Sequence, residues 1–157
     1  MKTLIAFYSR TGTTKKVAEA LAGKLGADLE EIKDTVDRGG VRGYLVSGKD
    51  AMMRKLTVLE PVTRNVSDYD LVIAGTPIWS WNISSPIRTY LTEQKSNFKN
   101  LAFFCTMGGS GDEKAFKEME ETSGKKPLTA ASFLTREVAS DNFSEKTDKF
   151  VNDINKI

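Results

Sequence analysis

Five short segments recur along the chain, and their burial pattern constrains the fold more than any other feature. They are "TLIAFY" (3–8), "ADLEEI" (27–32), "DLVIAGT" (70–76), "NLAFFCT" (100–106) and "LTAASFL" (128–134). The first, third and fourth are apolar at nearly every position, which a strand tolerates only when both of its faces are covered. "ADLEEI" alternates instead and reads as an edge strand. Covered strands separated by helical segments are the signature of a parallel sheet with helices on both sides.

The intervening segments supply those helices. "TTKKVAEALAGKL" places Val17, Ala18, Leu21 and Leu25 on one face, with Gly26 following as a C-cap. "SSPIRTYLTEQK" has serine before Pro86 and apolar Ile87, Tyr90 and Leu91. "GDEKAFKEMEET" is a third helix, and "NFSEKTDKFVNDINKI" a fourth, with Phe143, Phe150, Val151 and Ile154 inside. Right-handed crossovers then favour one doubly wound α/β domain over residues 1–157. Residues 33–69 are longer than a connection needs, with helix expected only around Tyr44 to Lys55.

Composition narrows the chemistry. The chain has no histidine, which excludes a Ser-His-Asp triad and a histidine general base. A single Cys105 excludes an internal disulfide, a CxxC redox pair and a cysteine-built metal site. The net charge of +2 gives no general nucleic-acid footprint. No run is long and apolar enough for a membrane span, and the N-terminus lacks a signal-peptide h-region, so a cytoplasmic location is expected. Any reaction here is therefore expected to be carried by a bound group.

Three loops that follow strands are candidates for holding it. "SRTGTT", comprising Ser9, Arg10, Thr11, Gly12, Thr13 and Thr14, lies between strand and helix. Gly12 permits a tight turn, the first helical N–H groups are unpaired, and the helix dipole favours an anion, so a neutral phosphate cradle is expected. Neither GxxxxGK[ST] nor GxGxxG is present, which excludes the usual nucleoside triphosphate and dinucleotide loops. The second loop holds Thr76, Pro77, Ile78, Trp79, Ser80, Trp81 and Asn82, with two tryptophans suited to covering a flat apolar ligand. The third holds Thr106, Met107, Gly108, Gly109 and Gly111, whose glycines suit direct backbone hydrogen bonds to a ligand edge. In an open α/β sheet, loops of this kind converge at the carboxyl edge of the strands.

"YSRTGTTKKVAEAL", "DYDLVIAGTPIWSWNISSPIRTYL" and "LAFFCTMGGSGD", in that order, resemble the flavodoxin family over nearly the whole chain. The resemblance implies a five-stranded parallel sheet of order 2-1-3-4-5 with FMN at its carboxyl edge, a fold that serves as a standard example of ligand binding at a switch point. It implies that the first loop takes the phosphate and that the other two hold the isoalloxazine, with Trp79 the stacking residue and Trp81 in reserve. The uninterrupted "PLTAASFLTREV" is similar to the short-chain subgroup.

Three departures from the family pattern stand out. The chain is slightly basic rather than acidic, no tyrosine follows Gly108, and no glycine lies between Trp79 and Ser85. Within that loop, Asn82 is the residue expected to tolerate a left-handed backbone best. The resemblance implies an electron carrier working between a reductase and an acceptor protein, as a monomer or weak homodimer. The alternative is an FMN-dependent NAD(P)H oxidoreductase of the quinone reductase type. A phospho-acceptor receiver lacks its carboxylate after the third strand, and a low-molecular-weight phosphatase lacks an arginine six residues beyond Cys105.

Overall fold

The computed structural model describes Met1–Ile157. The strands are β1 (Thr3–Phe7), β2 (Asp28–Glu31), β3 (Leu71–Trp79), β4 (Asn82–Ile83), β5 (Leu101–Met107) and β6 (Ala130–Leu134). Five of them form a parallel sheet in the order β2-β1-β3-β5-β6, and β4 pairs antiparallel with the end of β3. The expected order 2-1-3-4-5 is thus found in space. The numbering differs because the two-residue β4 has no periodicity by which a sequence reading could detect it.

The helices are α1 (Thr13–Leu25), α2 (Gly40–Met52), α3 (Ser85–Glu93), α4 (Asp112–Ser123), α5 (Thr135–Ala139) and α6 (Ser144–Asn155). Side chains alternate across the sheet, so each central strand feeds two cores. Leu4, Ala6, Val72, Ala74 and Phe103 face Ile87, Leu91 and Met119 on one side. Ile5, Phe7, Ile73 and Phe104 meet Val17, Leu21, Phe133, Phe150 and Ile154 on the other. Gly75 lies opposite Phe104 in the register, and a Cβ there would come within 2.1 Å of the Phe104 ring. Only glycine lets that ring cross the strand.

Helix α1 ends as expected, with Gly26 at φ 62°. The expected last helix is shorter at its start: Phe143 packs in the core but precedes Ser144, and α5 occupies residues between the last strand and the last helix for which the sequence suggests no element. The long connection between β2 and β3 is closed at its base by a bridge between Asp34 and Leu59. Its helix, α2, starts four residues before Tyr44 and stops at Met52.

Candidate functional site

Beyond the carboxyl ends of β1, β3 and β5, three loops meet. Gly12 takes φ 99° and turns the chain into α1, a conformation open to glycine and costly for other residues. The Ser9 hydroxyl oxygen accepts from the Gly12 amide at 3.1 Å and the Lys15 amide at 3.2 Å, fixing the loop. The amides of Thr11, Thr13 and Thr14 have no acceptor in the protein. Three free N–H groups at the positive end of a helix dipole form a site for an anion.

The Thr14 hydroxyl is turned inward. It lies 2.8 Å from the Thr106 hydroxyl, both side chains are buried, and the bond ties the first loop to the end of β5. Arg10 is turned toward α2: its guanidinium donates to the Arg38 carbonyl at 3.4 Å and lies over the Tyr44 ring.

One cavity of about 120 Å³ gathers Ser9, Arg10, Thr11, Thr13, Thr14, Pro77, Ile78, Trp79, Thr106, Met107 and Gly108. Two further residues on its wall, Tyr44 and Thr135, are absent from the sequence-based set. A larger groove of about 330 Å³ adjoins it, between α2 and the end of β3, and the two cavities share Tyr44, Ile78 and Trp79. A polar end rich in amides thus opens toward an apolar, aromatic end.

The remaining expected residues line neither the small cavity nor, except for Ser80, the groove. Thr76 is buried, and its hydroxyl donates to the Pro77 carbonyl and lies 3.0 Å from the Ser84 hydroxyl. Gly109 is exposed, and Gly111 caps α4 at φ 110°. A Cβ on Gly108 or Gly109 would meet no protein atom within 4 Å, so packing within the chain does not demand glycine there. Direct approach of a ligand to that backbone is unobstructed.

Residues read as a flavin loop form a hairpin: β3 runs through Trp79, Ser80 and Trp81 make a two-residue turn, and β4 returns. Both turn residues have positive φ, 48° and 61°, the arrangement of a type I′ turn, which glycine or asparagine normally occupies. Asn82, the residue of this loop best suited to a left-handed backbone, does not carry it; the positive φ falls on Ser80 and Trp81. Asn82 is buried in β4, where its side-chain amide donates to the Ser80 carbonyl at 2.6 Å and braces the turn.

The two tryptophans have separate environments. Trp79 is half-buried, edge-on to Tyr8 with ring centroids 5.3 Å apart, and the Arg38 guanidinium lies 5.3 Å from its ring. Trp81 is 62% exposed, and its indole N–H reaches the Ser110 hydroxyl at 3.4 Å.

Sequence reasoning missed the group that positions Trp79. Arg38 is buried and donates to Asp34 at 2.7 and 3.0 Å, to Asp50 at 3.2 Å and to Ser47 at 3.2 Å. Burial pulls its pKa down, but the hydrogen bonds and charges of Asp34 and Asp50 raise it above the ordinary value overall. Thr57 also donates to Asp34, at 2.9 Å. Gly43 makes the cluster possible, because a Cβ there would come within 2.1 Å of the Arg38 backbone. Burial, and secondarily the Asp34 carboxylate, pushes Tyr8 up to about 12, so it packs against Trp79 as a neutral phenol.

Burial likewise raises the Cys105 thiol well above its ordinary range, which makes it a small core residue rather than a nucleophile. No group of acidic, histidine or cysteine residues is arranged to hold a metal ion, and no helix is long and apolar enough to cross a membrane.

The flavodoxin family model matches residues 2–150. Among solved structures, a flavoprotein from Lactobacillus acidophilus, crystallised in complex with FMN, is 26% identical with a TM-score of 0.74, and the match covers 88% of this chain and 97% of that one. Two others share the fold. Two-electron-reduced flavodoxin from Megasphaera elsdenii is 20% identical, with a TM-score of 0.51 and 85% of each chain covered. Oxidised flavodoxin 1 from Bacillus cereus is 14% identical, with a TM-score of 0.57 and coverage of 99% of this chain and 98% of that one. Among curated proteins no sequence matches the chain.

Proposed function

The chain belongs to the flavodoxin family, and from that premise we propose that it binds FMN and carries electrons between a reductase and an acceptor protein. The observation that carries the reading is the pairing of three acceptor-free amides at the start of α1 with an apolar, aromatic wall in the same cavity. A phosphate and a flat ring joined by a short polar chain match that pairing, and the related L. acidophilus protein was crystallised with FMN.

The residues divide the work. The amides of Thr11, Thr13 and Thr14 and the Ser9 hydroxyl are the directed donors that would receive the phosphate, and Arg10 shares their cavity with its guanidinium turned toward α2. Pro77, Ile78 and Trp79 on one loop and Thr106 to Gly108 on the other receive the ring, and Tyr44 closes the wall from α2. Bound FMN supplies the redox chemistry. The chain orients it and shields it from water, and the Thr14–Thr106 hydrogen bond holds the phosphate end and the ring end at a fixed separation.

The carrier reading also rests on the modest size of the cavities beside the hairpin. Direct addition of NAD(P)H tests it: rapid bleaching of the flavin without a reductase would replace the carrier with the oxidoreductase reading.

Calorimetric titration tests the cofactor. FMN is expected to bind orders of magnitude more tightly than riboflavin, because each charge-assisted hydrogen bond lost with the phosphate is worth about 1.5–3 kcal/mol. Equal affinities would refute the assignment of the first loop.

A further inference from the structure

Helix α2 is built the wrong way round for a surface helix. Its buried residues are Gly43, Ser47, Asp50 and Ala51, small or polar, whereas Val41, Leu45 and Met52 stand 79%, 65% and 64% exposed. At 3.6 residues per turn those three fall within about 40° of one another on the helical wheel, with Tyr44 beside them. With Met53, five large apolar side chains on this part of the chain are more than 60% exposed, whereas exposed hydrophobics on a monomer are ordinarily scattered singly. The 330 Å³ groove runs between this stripe and the β3–β4 hairpin.

The charges beside the stripe have one sign. Arg42 and Lys49, seven residues apart, form a row about 70° round the helix from its centre, and Arg54 and Lys55 follow at its end. All four are exposed, and only Arg54 reaches a carboxylate, Glu118 at 3.6 Å. Between residues 38 and 58 the one acidic side chain is Asp50, buried against Arg38.

We propose that the α2 face is the docking surface for an acidic redox protein, which seats an apolar side chain in the groove and sets carboxylates against the Arg42–Lys49 row. The proposal rests on the FMN reading, because Tyr44 and Trp79 separate the groove from the cofactor cavity and a partner seated there approaches the ring edge. Charge selects this occupant over the others. A two-fold dimer would bring the same cationic patch against itself, a repulsive arrangement. A bilayer takes up a convex apolar ridge, whereas this face is grooved.

The test titrates a plant-type [2Fe–2S] ferredoxin, an acidic one-electron protein, into the FMN-loaded chain by calorimetry. FMN content is measured separately from flavin absorbance, so loss of the cofactor and loss of docking are read independently. Binding is expected at low ionic strength, weakening about tenfold on raising salt to ~0.15 M, as for a charge-steered interface. Arg42→Glu combined with Lys55→Glu should weaken it about tenfold again without changing FMN affinity, and Val41→Ser combined with Met53→Ser should weaken it at unchanged salt dependence.

Absence of binding at low salt, or binding indifferent to the charge reversal, overturns the proposal. So does sedimentation showing a dimer that Val41→Ser with Met53→Ser dissolves, which assigns the face to a second copy. Attachment to phosphatidylserine vesicles with none to ferredoxin assigns it to a membrane and likewise overturns it.

Discussion

Replacing Arg38 by methionine should loosen one part of the molecule far more than the rest. The guanidinium holds two aspartates, Asp34 at 2.7 Å and Asp50 at 3.2 Å, and all three side chains are nearly or fully buried. Methionine keeps the apolar stem and removes the charge, leaving two carboxylates with no cation. Breaking a buried pair in this way costs about 3–5 kcal/mol, against a total stability of ~5–15 kcal/mol for a domain.

Because Asp34 stands at the start of the connection between β2 and β3 and Asp50 in the last turn of α2, the loss should appear first as opening of residues 33–58. Native-state hydrogen exchange should show amides of α2 losing protection while β1, β3 and β5 keep theirs. FMN should bind more weakly as Tyr44 and Trp79 lose their support. The triple variant Asp34→Asn, Arg38→Met, Asp50→Asn, which leaves no isolated charge, should recover most of the lost stability. An Arg38→Met protein within about 0.5 kcal/mol of the parent and equally protected over α2 would refute the reasoning, since it would make the cluster no more than a solvated pair.

Other outcomes follow from the same geometry. Trp79→Ala should weaken FMN by on the order of 1 kcal/mol and reduce quenching of its fluorescence, whereas Trp81→Ala should leave both nearly unchanged; the opposite pattern would exchange their roles. Trp81→Gly should raise the urea midpoint, because a non-glycine residue at φ 61° stores roughly 1 kcal/mol that glycine does not. A fall would show that the contact with Ser110 outweighs the strain. At alkaline pH stability should decline as pH rises through the window from about 10, where unfolded tyrosine ionises, to about 12, where Tyr8 does. The folded state keeps a proton that the unfolded state has lost, and Tyr8→Phe should remove that part of the slope in urea denaturation.

What could be read from the sequence divides along the kind of signal each element carries. The central strands declare themselves because burial on two faces leaves "TLIAF" and "LAFFCT" apolar apart from one terminal threonine each. The α1 loop was legible because Gly12 and the hydroxyl residues around it have a mechanism, a tight turn before free amides. The β3–β4 hairpin was hidden: its turn is Ser80-Trp81 where the familiar signal is Asn-Gly, and its return strand is two residues long. Helix α5 was hidden by its five-residue length.

Arg38 was hidden for a different reason. Charged residues in a long connection read as solvated, and only tertiary structure reveals that Asp34, Ser47 and Asp50 surround it. The four-residue spacing from Asp34 to Arg38 and the glycine at 43 were the available hints.

The polar inner face of α2 also sets how its attachment responds to temperature. Peeling it away would expose Ala51 and a cluster of charges rather than a sheet of hydrocarbon. The heat-capacity change of that opening should be small compared with that of global unfolding, where apolar exposure dominates. Its free energy should therefore run nearly straight with temperature, without the dome that weakens a hydrophobic contact in the cold. A molecule cooled toward the low-temperature limb of its core would still hold this helix over its ligand cleft.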